Sequence, residues 1–135
     1  MTVFYVDENL SPMLAHSLSK VFLQHKFLTP QMTGLLSTDD VPLFGDLSAR
    51  DVDCLITLDK RQLEDPDERN GLRTAGLHWL GISNGADGKG AEKIAGHLAM
   101  AAPGVAYVLR DWRGLPTAYR CASPDRPSML EPETI

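Results

Sequence analysis

The sequence predicts a three-layer α/β/α domain with a mostly parallel central sheet. Short apolar segments of strand composition alternate with amphipathic segments of helical period, in the order β-α-β-α-β-α-β-α-β. Two of the apolar segments end in an aspartate, Asp7 and Asp59. At 135 residues the chain is long enough for one hydrophobic core and short for two. We therefore expect a single domain over residues 1–121, followed by a poorly ordered tail over residues 122–135.

The N-terminal half supplies two strands and two helices. Residues 3–7 (VFYVD) read as a buried parallel strand, and the Ser-Pro pair that follows is typical of a helix start. Apolar residues at helical spacing then predict an amphipathic helix to about residue 22. Residues 26–29 (KFLT) form the second predicted strand. A short helix follows, capped by Asp39 or Asp40.

Two further strands and a helix follow in the middle of the chain. Residues 53–58 (DCLITL) are apolar and β-branched, which is typical of a fully buried strand. The sequence "DPDE" opens a helix with Asp65 as N-cap and Glu68 as its capping-box partner, and Gly76 closes it. Residues 78–83 (HWLGIS) form the fourth predicted strand.

The last predicted elements are a helix and a hairpin. The helix begins at Ala91 and stops at Pro103, because proline interrupts helical hydrogen bonding. Residues 105–110 (VAYVLR) then read as a strand that the turn "DWRG" connects to "TAYR".

Composition limits the classes of function. Apolar residues make up 43% of the chain and charged residues 23%, as in ordinary globular proteins. The net charge of −5 disfavours sequence-independent binding of nucleic acid, which needs a basic surface. Neither a membrane-spanning run nor a signal peptide is recognisable, so we expect a cytoplasmic protein without membrane contact. The two cysteines and four histidines lack the spacing of a disulfide framework or a metal site.

Three aspartates form the candidate site. Asp7 ends the first strand, Asp40 begins the second helix and Asp59 ends the third strand, so all three are expected at one edge of the sheet. Close carboxylates repel one another unless a cation neutralises them, and oxygen ligands suit Mg²⁺ or Mn²⁺. Each aspartate also has a structural interpretation, as a strand terminator, a helix cap or the opening of a turn.

Three segments resemble the PIN-like domains of the VapC-type toxin group. They are "FYVDENLSP", the "DD" before the short helix, and "LITLDKRQLEDPDERNGLRTAGLHWLGI", and the resemblance covers residues 3–110. It implies a metal-dependent ribonuclease that acts as the toxin of a toxin-antitoxin pair. Asp7 and Asp59 would be metal ligands, with Asp40 as the intermediate acid. Asp40 fits the family's spacing to the next apolar residue better than Asp39 does.

The resemblance also suggests partners and leaves one gap. RNA would be the substrate, and a cognate antitoxin would cover the acidic cleft or insert a basic side chain into it. Lys60 and Arg61, with Arg69 and Arg73 on the following helix, are candidates for holding RNA phosphates, although a solvated turn explains the first two equally well. The family usually offers a fourth acid, and "HWLGIS" ends without one. The sequence leaves open whether the protein forms a homodimer.

Two other classes of protein compete with the nuclease. A phosphoacceptor receiver domain also uses an acid pair after its first strand and an aspartate after its third, but "LDKRQL" lacks the Pro and Gly expected after the phosphoacceptor. The other alternative is a binding module that has kept the PIN-like fold and lost catalysis, in line with the missing fourth acid.

Overall fold

A computed structural model describes residues 1–83, 88–123, 126–130 and 132–135. Its centre is a seven-stranded sheet in which β2, β1, β3, β4, β5 and β6 lie side by side. The first five of these strands run parallel, while β6 and the short β7 both pair with β5 in antiparallel fashion. The strands are β1 (Val3–Val6), β2 (Lys26–Leu28), β3 (Cys54–Thr57), β4 (His78–Gly81), β5 (Thr117–Ser123), β6 (Arg126–Leu130) and β7 (Glu133–Thr134).

Helices cover both faces of the sheet, which confirms the predicted three-layer α/β/α class. Successive strand residues point to opposite faces, so Phe4 and Ile56 lie in one buried cluster while Tyr5 and Leu55 lie in the other. The first cluster includes residues of α1 and α6, and the second includes residues of α3 and α5. The helices are α1 (Pro12–Val21), α2 (Pro30–Thr33), α3 (Asp40–Ala49), α4 (Arg61–Glu64), α5 (Pro66–Ala75) and α6 (Ala91–Asp111). Among the described residues, no helix is long and apolar enough to cross a membrane.

The helix ends follow the local sequence signals. The Ser11 hydroxyl accepts a hydrogen bond from the amide of Met13 at the start of α1. Asp65 caps α5 by accepting from the amides of Asp67 and Glu68. Gly76 ends α5 with φ of +72°, a left-handed conformation that glycine adopts without steric penalty.

The prediction of a strand over residues 105–110 is wrong. Helix α6 continues through Pro103 to Asp111. Val105 and Val108 are fully buried on the same side of the helix as Ala101, in the core that α6 shares with α1. This packing outweighs both the hydrogen bond that proline removes and the strand preference of the β-branched residues.

The C-terminal segment also differs from the sequence prediction. The sequence predicts a poorly ordered tail over residues 122–135, yet β5 runs on to Ser123, and β6 and β7 both pair with it. Ile135 is buried against the core on the α3 and α5 side. Backbone pairing with an existing strand needs no apolar periodicity in the added segment, so composition alone did not reveal these strands.

Candidate acidic site at the carboxyl edge of the sheet

Asp7 lies at the bottom of the site, directly after β1, and is only 6% exposed. Its Oδ1 accepts a hydrogen bond from the amide of Glu8 at 2.8 Å, and its Oδ2 accepts one from the Thr57 hydroxyl at 2.8 Å. Burial raises the pKa of Asp7, and these donors oppose the shift by stabilising the charged form. Asp7 is therefore a carboxylate held out of water by the chain's own donors.

Gln62 joins Asp7 to Asp40. Its Nε2 donates to Asp7 Oδ2 at 3.3 Å and to Asp40 Oδ1 at 3.2 Å, and the residue is fully buried. The indole N–H of Trp79 donates to Gln62 Oε1 at 3.0 Å. Because an indole N–H can only donate, this bond turns the amide oxygen toward Trp79 and the NH₂ group toward the carboxylates. A neutral group thus bridges two acids and leaves their charge in place.

Thr57 brings Asp59 next to Asp7. The Thr57 hydroxyl oxygen accepts from the Asn9 side-chain amide at 3.1 Å and from the Asp59 backbone amide at 3.0 Å. With its oxygen engaged in this way, the hydroxyl proton points to Asp7. Asp7, Asp40 and Asp59 therefore lie at the same edge of the sheet, connected through Thr57 and Gln62.

The carboxylate of Asp59 has its own partner in the chain. Arg61 Nε donates to Asp59 Oδ1 at 3.1 Å, and the Arg61 backbone amide donates to the same oxygen at 3.0 Å. The Arg61 side chain is 82% exposed, and an ion pair so open to water contributes little stability and separates easily.

Glu68 is a further acid in this region, and the sequence prediction assigned it only a capping role. Its carboxyl group faces Asp40 from α5; hydrogen bonding to Asp40, partial burial and repulsion from Asp40 raise the pKa of Glu68 to about 7. A cleft of about 470 Å³ opens above these groups. The acidic residues that line it are Glu8, Asp39, Asp40, Asp59 and Glu68.

The donor set of this cleft is chemically suited to a hard divalent cation. Carboxylate oxygens are the ligands that Mg²⁺ and Mn²⁺ prefer, and Asp7 and Asp40 are within reach of one amide nitrogen. Within the described ranges, however, no group of three or more His, Cys, Asp or Glu side chains is arranged closely enough to hold a metal. The carboxylates are gathered at one edge without being closed around one point.

The four basic residues predicted to hold RNA divide into two groups. Lys60 is exposed beside the cleft, and Arg61 lines it. Arg69 donates to Glu133 and to the Thr134 carbonyl, both at 3.0 Å. Arg73 donates to the Ile135 carbonyl, with Nη2 at 2.6 Å. The structure thus engages the second pair with the C-terminal segment, and neither lines the acidic cleft.

Sequence reasoning missed the residues that connect the acids. Thr57 was detectable only as the middle of the "T-x-D" step, and nothing in "RQLE" marks Gln62 as buried. Glu68 carried a signal, since it follows an N-cap by three residues, but that pattern predicts a cap.

The fold and the site together define a three-layer α/β domain with an acidic cleft at the carboxyl edge of its sheet. No family model, no curated protein and no solved structure matches the chain.

Proposed function

We propose that the protein is a Mg²⁺- or Mn²⁺-dependent endoribonuclease and the toxin of a toxin-antitoxin pair. One observation carries the proposal. A single nitrogen, Gln62 Nε2, is within hydrogen-bond distance of both Asp7 and Asp40, so one cation can contact the same two carboxylates. The resemblance of the surrounding segments to PIN-like domains supports the same function.

In this proposal, Asp7 and Asp40 hold the cation, and Asp59 joins them when its exposed ion pair with Arg61 opens. The metal supplies an activated water and stabilises the charge that builds up on the phosphate. Glu68 is the cleft residue whose pKa, about 7, suits proton transfer at neutral pH. Glu68 also provides a fourth acid, from a helix in which the resemblance did not predict one.

Substrate binding in this proposal relies on local positive charge. Lys60 and Arg61 lie beside the cleft and are exposed, so their side chains can reach RNA phosphates. The net charge of −5 disfavours indiscriminate binding of long RNA. A small folded substrate, such as a tRNA loop, fits these charges better.

The antitoxin follows from the resemblance and from the charge of the cleft. Five acidic side chains line the cleft, so a partner protein that inserts an Arg or Lys side chain would complement them. Such a partner would compete with Mg²⁺ for the same carboxylates and thereby inhibit cleavage.

Cleavage of total RNA with and without Mg²⁺ tests the proposal. We expect Asp7→Asn and Asp59→Asn to lower the Mg²⁺-dependent rate by about 100-fold or more, because a metal supplies several kcal/mol of transition-state stabilisation. Asp46→Asn is the matched control, since Asp46 is exposed on α3 and does not line the cleft. Equal cleavage by all four proteins would indicate a contaminating nuclease and remove the proposal.

A non-catalytic binding module is the second candidate, and the internal partners of the acids favour it. Gln62 already bridges Asp7 and Asp40, and Arg61 already pairs with Asp59. A module of this kind would bind Mn²⁺ at the cleft, lose that binding in Asp7→Asn, and leave RNA intact under every condition.

A further inference from the structure

A second pocket, distinct from the acidic cleft, lies where α6 begins. It has a volume of about 310 Å³ and is lined by Asn9, Ser11, Gly90, Lys93, Ile94 and His97; we call it the α6 pocket. No acidic side chain is among these described lining residues. The pocket thus differs in charge from the cleft, although Asn9 belongs to the hydrogen-bond network of Asp7.

The start of α6 gives the pocket a positive electrostatic potential. The helix is 21 residues long, and no side chain caps it at Gly90. The first amide N–H groups of a helix have no partner within the helix, and they carry its positive dipole end. Lys93, in the first turn and exposed, adds a full positive charge. Helix starts with these features bind phosphate and carboxylate groups in many proteins.

His97 provides an independent indication of a ligand. The residue is 4% exposed and lines the pocket, and its Nε2 is buried without a hydrogen-bond partner. Side chains of a helix tilt toward its N-terminus, so the imidazole is directed to the turn that carries Lys93 and Ile94. A buried polar atom without a partner is rare in native proteins, because its lost hydration is not replaced. A ligand in the pocket would supply the missing partner.

The ligand that completes this set of donors is an oxyanion. Burial and the nearby Lys93 charge both lower the pKa of His97, so the imidazole is surrounded by groups that favour a negative charge beside it. A phosphate oxygen can accept hydrogen bonds from an imidazole N–H, from an ammonium group and from helix amides together. A cation, by contrast, would face Lys93 and the positive end of the helix.

We propose that the α6 pocket binds a phosphate group through the first amides of α6, Lys93 and His97 Nε2. The phosphate comes either from the backbone of bound RNA or from a free phosphate compound. The RNA source rests on the proposed ribonuclease function. Two side chains, Asn9 and Thr57, connect the pocket to Asp7, so an RNA strand that enters the cleft would pass close to it.

Titration of the ¹⁵N-histidine-labelled protein with inorganic phosphate, without divalent metal, tests the site. We expect the His97 imidazole signals to shift in a saturable way. Lys93→Gln should weaken phosphate binding by about tenfold, the usual effect of one charge-assisted hydrogen bond. Lys20→Gln, which removes an exposed charge at the end of α1, is the matched control and should leave the affinity unchanged.

His97→Asn is a second variant, and its thermal unfolding should be measured alongside. A folded His97→Asn protein with lower phosphate affinity supports the site. Phosphate affinities equal among the wild type, Lys93→Gln and folded His97→Asn would overturn it, as would a His97 signal that phosphate does not move. Because Lys93 is exposed, Lys93→Gln keeps the test decisive even where His97→Asn does not fold.

Two further arms separate this site from the nuclease and identify the source of the phosphate. Asp7→Asn should bind inorganic phosphate like the wild type, and it should do so whether or not the wild type cleaves RNA. In Asp7→Asn, a single-stranded RNA oligonucleotide should bind more weakly once Lys93→Gln is added, if the pocket holds an RNA phosphate. If inorganic phosphate binding depends on Lys93 and RNA binding does not, the ligand is a free phosphate compound.

Discussion

The acidic cleft and the α6 pocket lie near each other at the carboxyl edge of the sheet, and their polar groups are arranged in opposite ways. In the cleft, both oxygens of Asp7 accept hydrogen bonds from the chain, but the negative charge is in excess. In the α6 pocket, Lys93 adds positive charge and His97 Nε2 has no partner. The first arrangement would be improved by a cation and the second by an anion. A metal-bound nucleic-acid backbone supplies both charges together.

Removing the Gln62 amide has the largest expected effect on this comparison. In Gln62→Leu, the buried indole N–H of Trp79 loses its acceptor, and Asp7 and Asp40 lose their shared donor. We expect the free energy of unfolding to fall by about 3 kcal/mol in urea titrations, since buried polar groups are left unsatisfied. Excess Mg²⁺ should restore part of this loss, because a cation at the two carboxylates replaces the missing donor.

Gln31→Leu is the control for that experiment, because Gln31 is exposed on the short α2 helix. Its unfolding free energy should stay within about 0.5 kcal/mol of the wild type. Phosphate binding at the α6 pocket should survive in folded Gln62→Leu. If Gln62→Leu were as stable as the control, the amide bridge would not organise the cleft.

A smaller effect is expected from the titration of Glu68. Its pKa is raised from 4.5 to about 7 in the folded protein, so the folded state binds the proton more tightly than the unfolded state does. The stability that this group contributes is present below about pH 4.5 and is lost as the pH rises through 7. Glu68→Gln should therefore gain about 1 kcal/mol relative to the wild type between pH 5 and pH 8, a figure reduced for the partial exposure of the side chain.

The measurement is the difference in unfolding free energy between Glu68→Gln and the wild type at each pH. Burial lowers the pKa of His78 and His97, which makes stability rise with pH, and this opposite contribution cancels in the difference. Saturating Mg²⁺ should shrink the difference at pH 8, because the cation relieves the repulsion around Asp40. A difference that does not change with pH would mean that Glu68 and Asp40 do not interact.

The smallest expected effect concerns the ion pair at the rim of the cleft. Arg61→Gln should change the unfolding free energy by less than about 0.5 kcal/mol, because the pair is exposed. It should nevertheless raise Mn²⁺ affinity about twofold to threefold in calorimetry, since Asp59 is then free to bind the metal.

Arg113→Gln is the matched control for the ion pair. Arg113 also pairs with an aspartate two residues away, Asp111, at 2.8 Å, and neither residue lines the cleft. Its Mn²⁺ affinity should equal that of the wild type. A decrease in Mn²⁺ affinity in Arg61→Gln would show that Arg61 supports the metal site instead of competing with it.

The positions of the acids were largely predictable, whereas their connections were not. Asp7 and Asp59 follow apolar segments that could only be buried parallel strands, and such strands end at one edge of a sheet. Gln62 reaches Asp7 across 55 residues of sequence and takes its orientation from Trp79. No local pattern encodes a contact of this kind, because it depends on how α4 is placed against the strands.

The sequence by itself determined the layer order, the first helix caps and the edge of the sheet where the acids gather, because these depend on periodicity and on near neighbours in the chain. Only the tertiary structure decided that α6 continues through Pro103, that the C-terminal segment joins the sheet, and that Glu68 faces Asp40. In each of these cases, packing or pairing with residues distant in sequence outweighed the local preference of the segment.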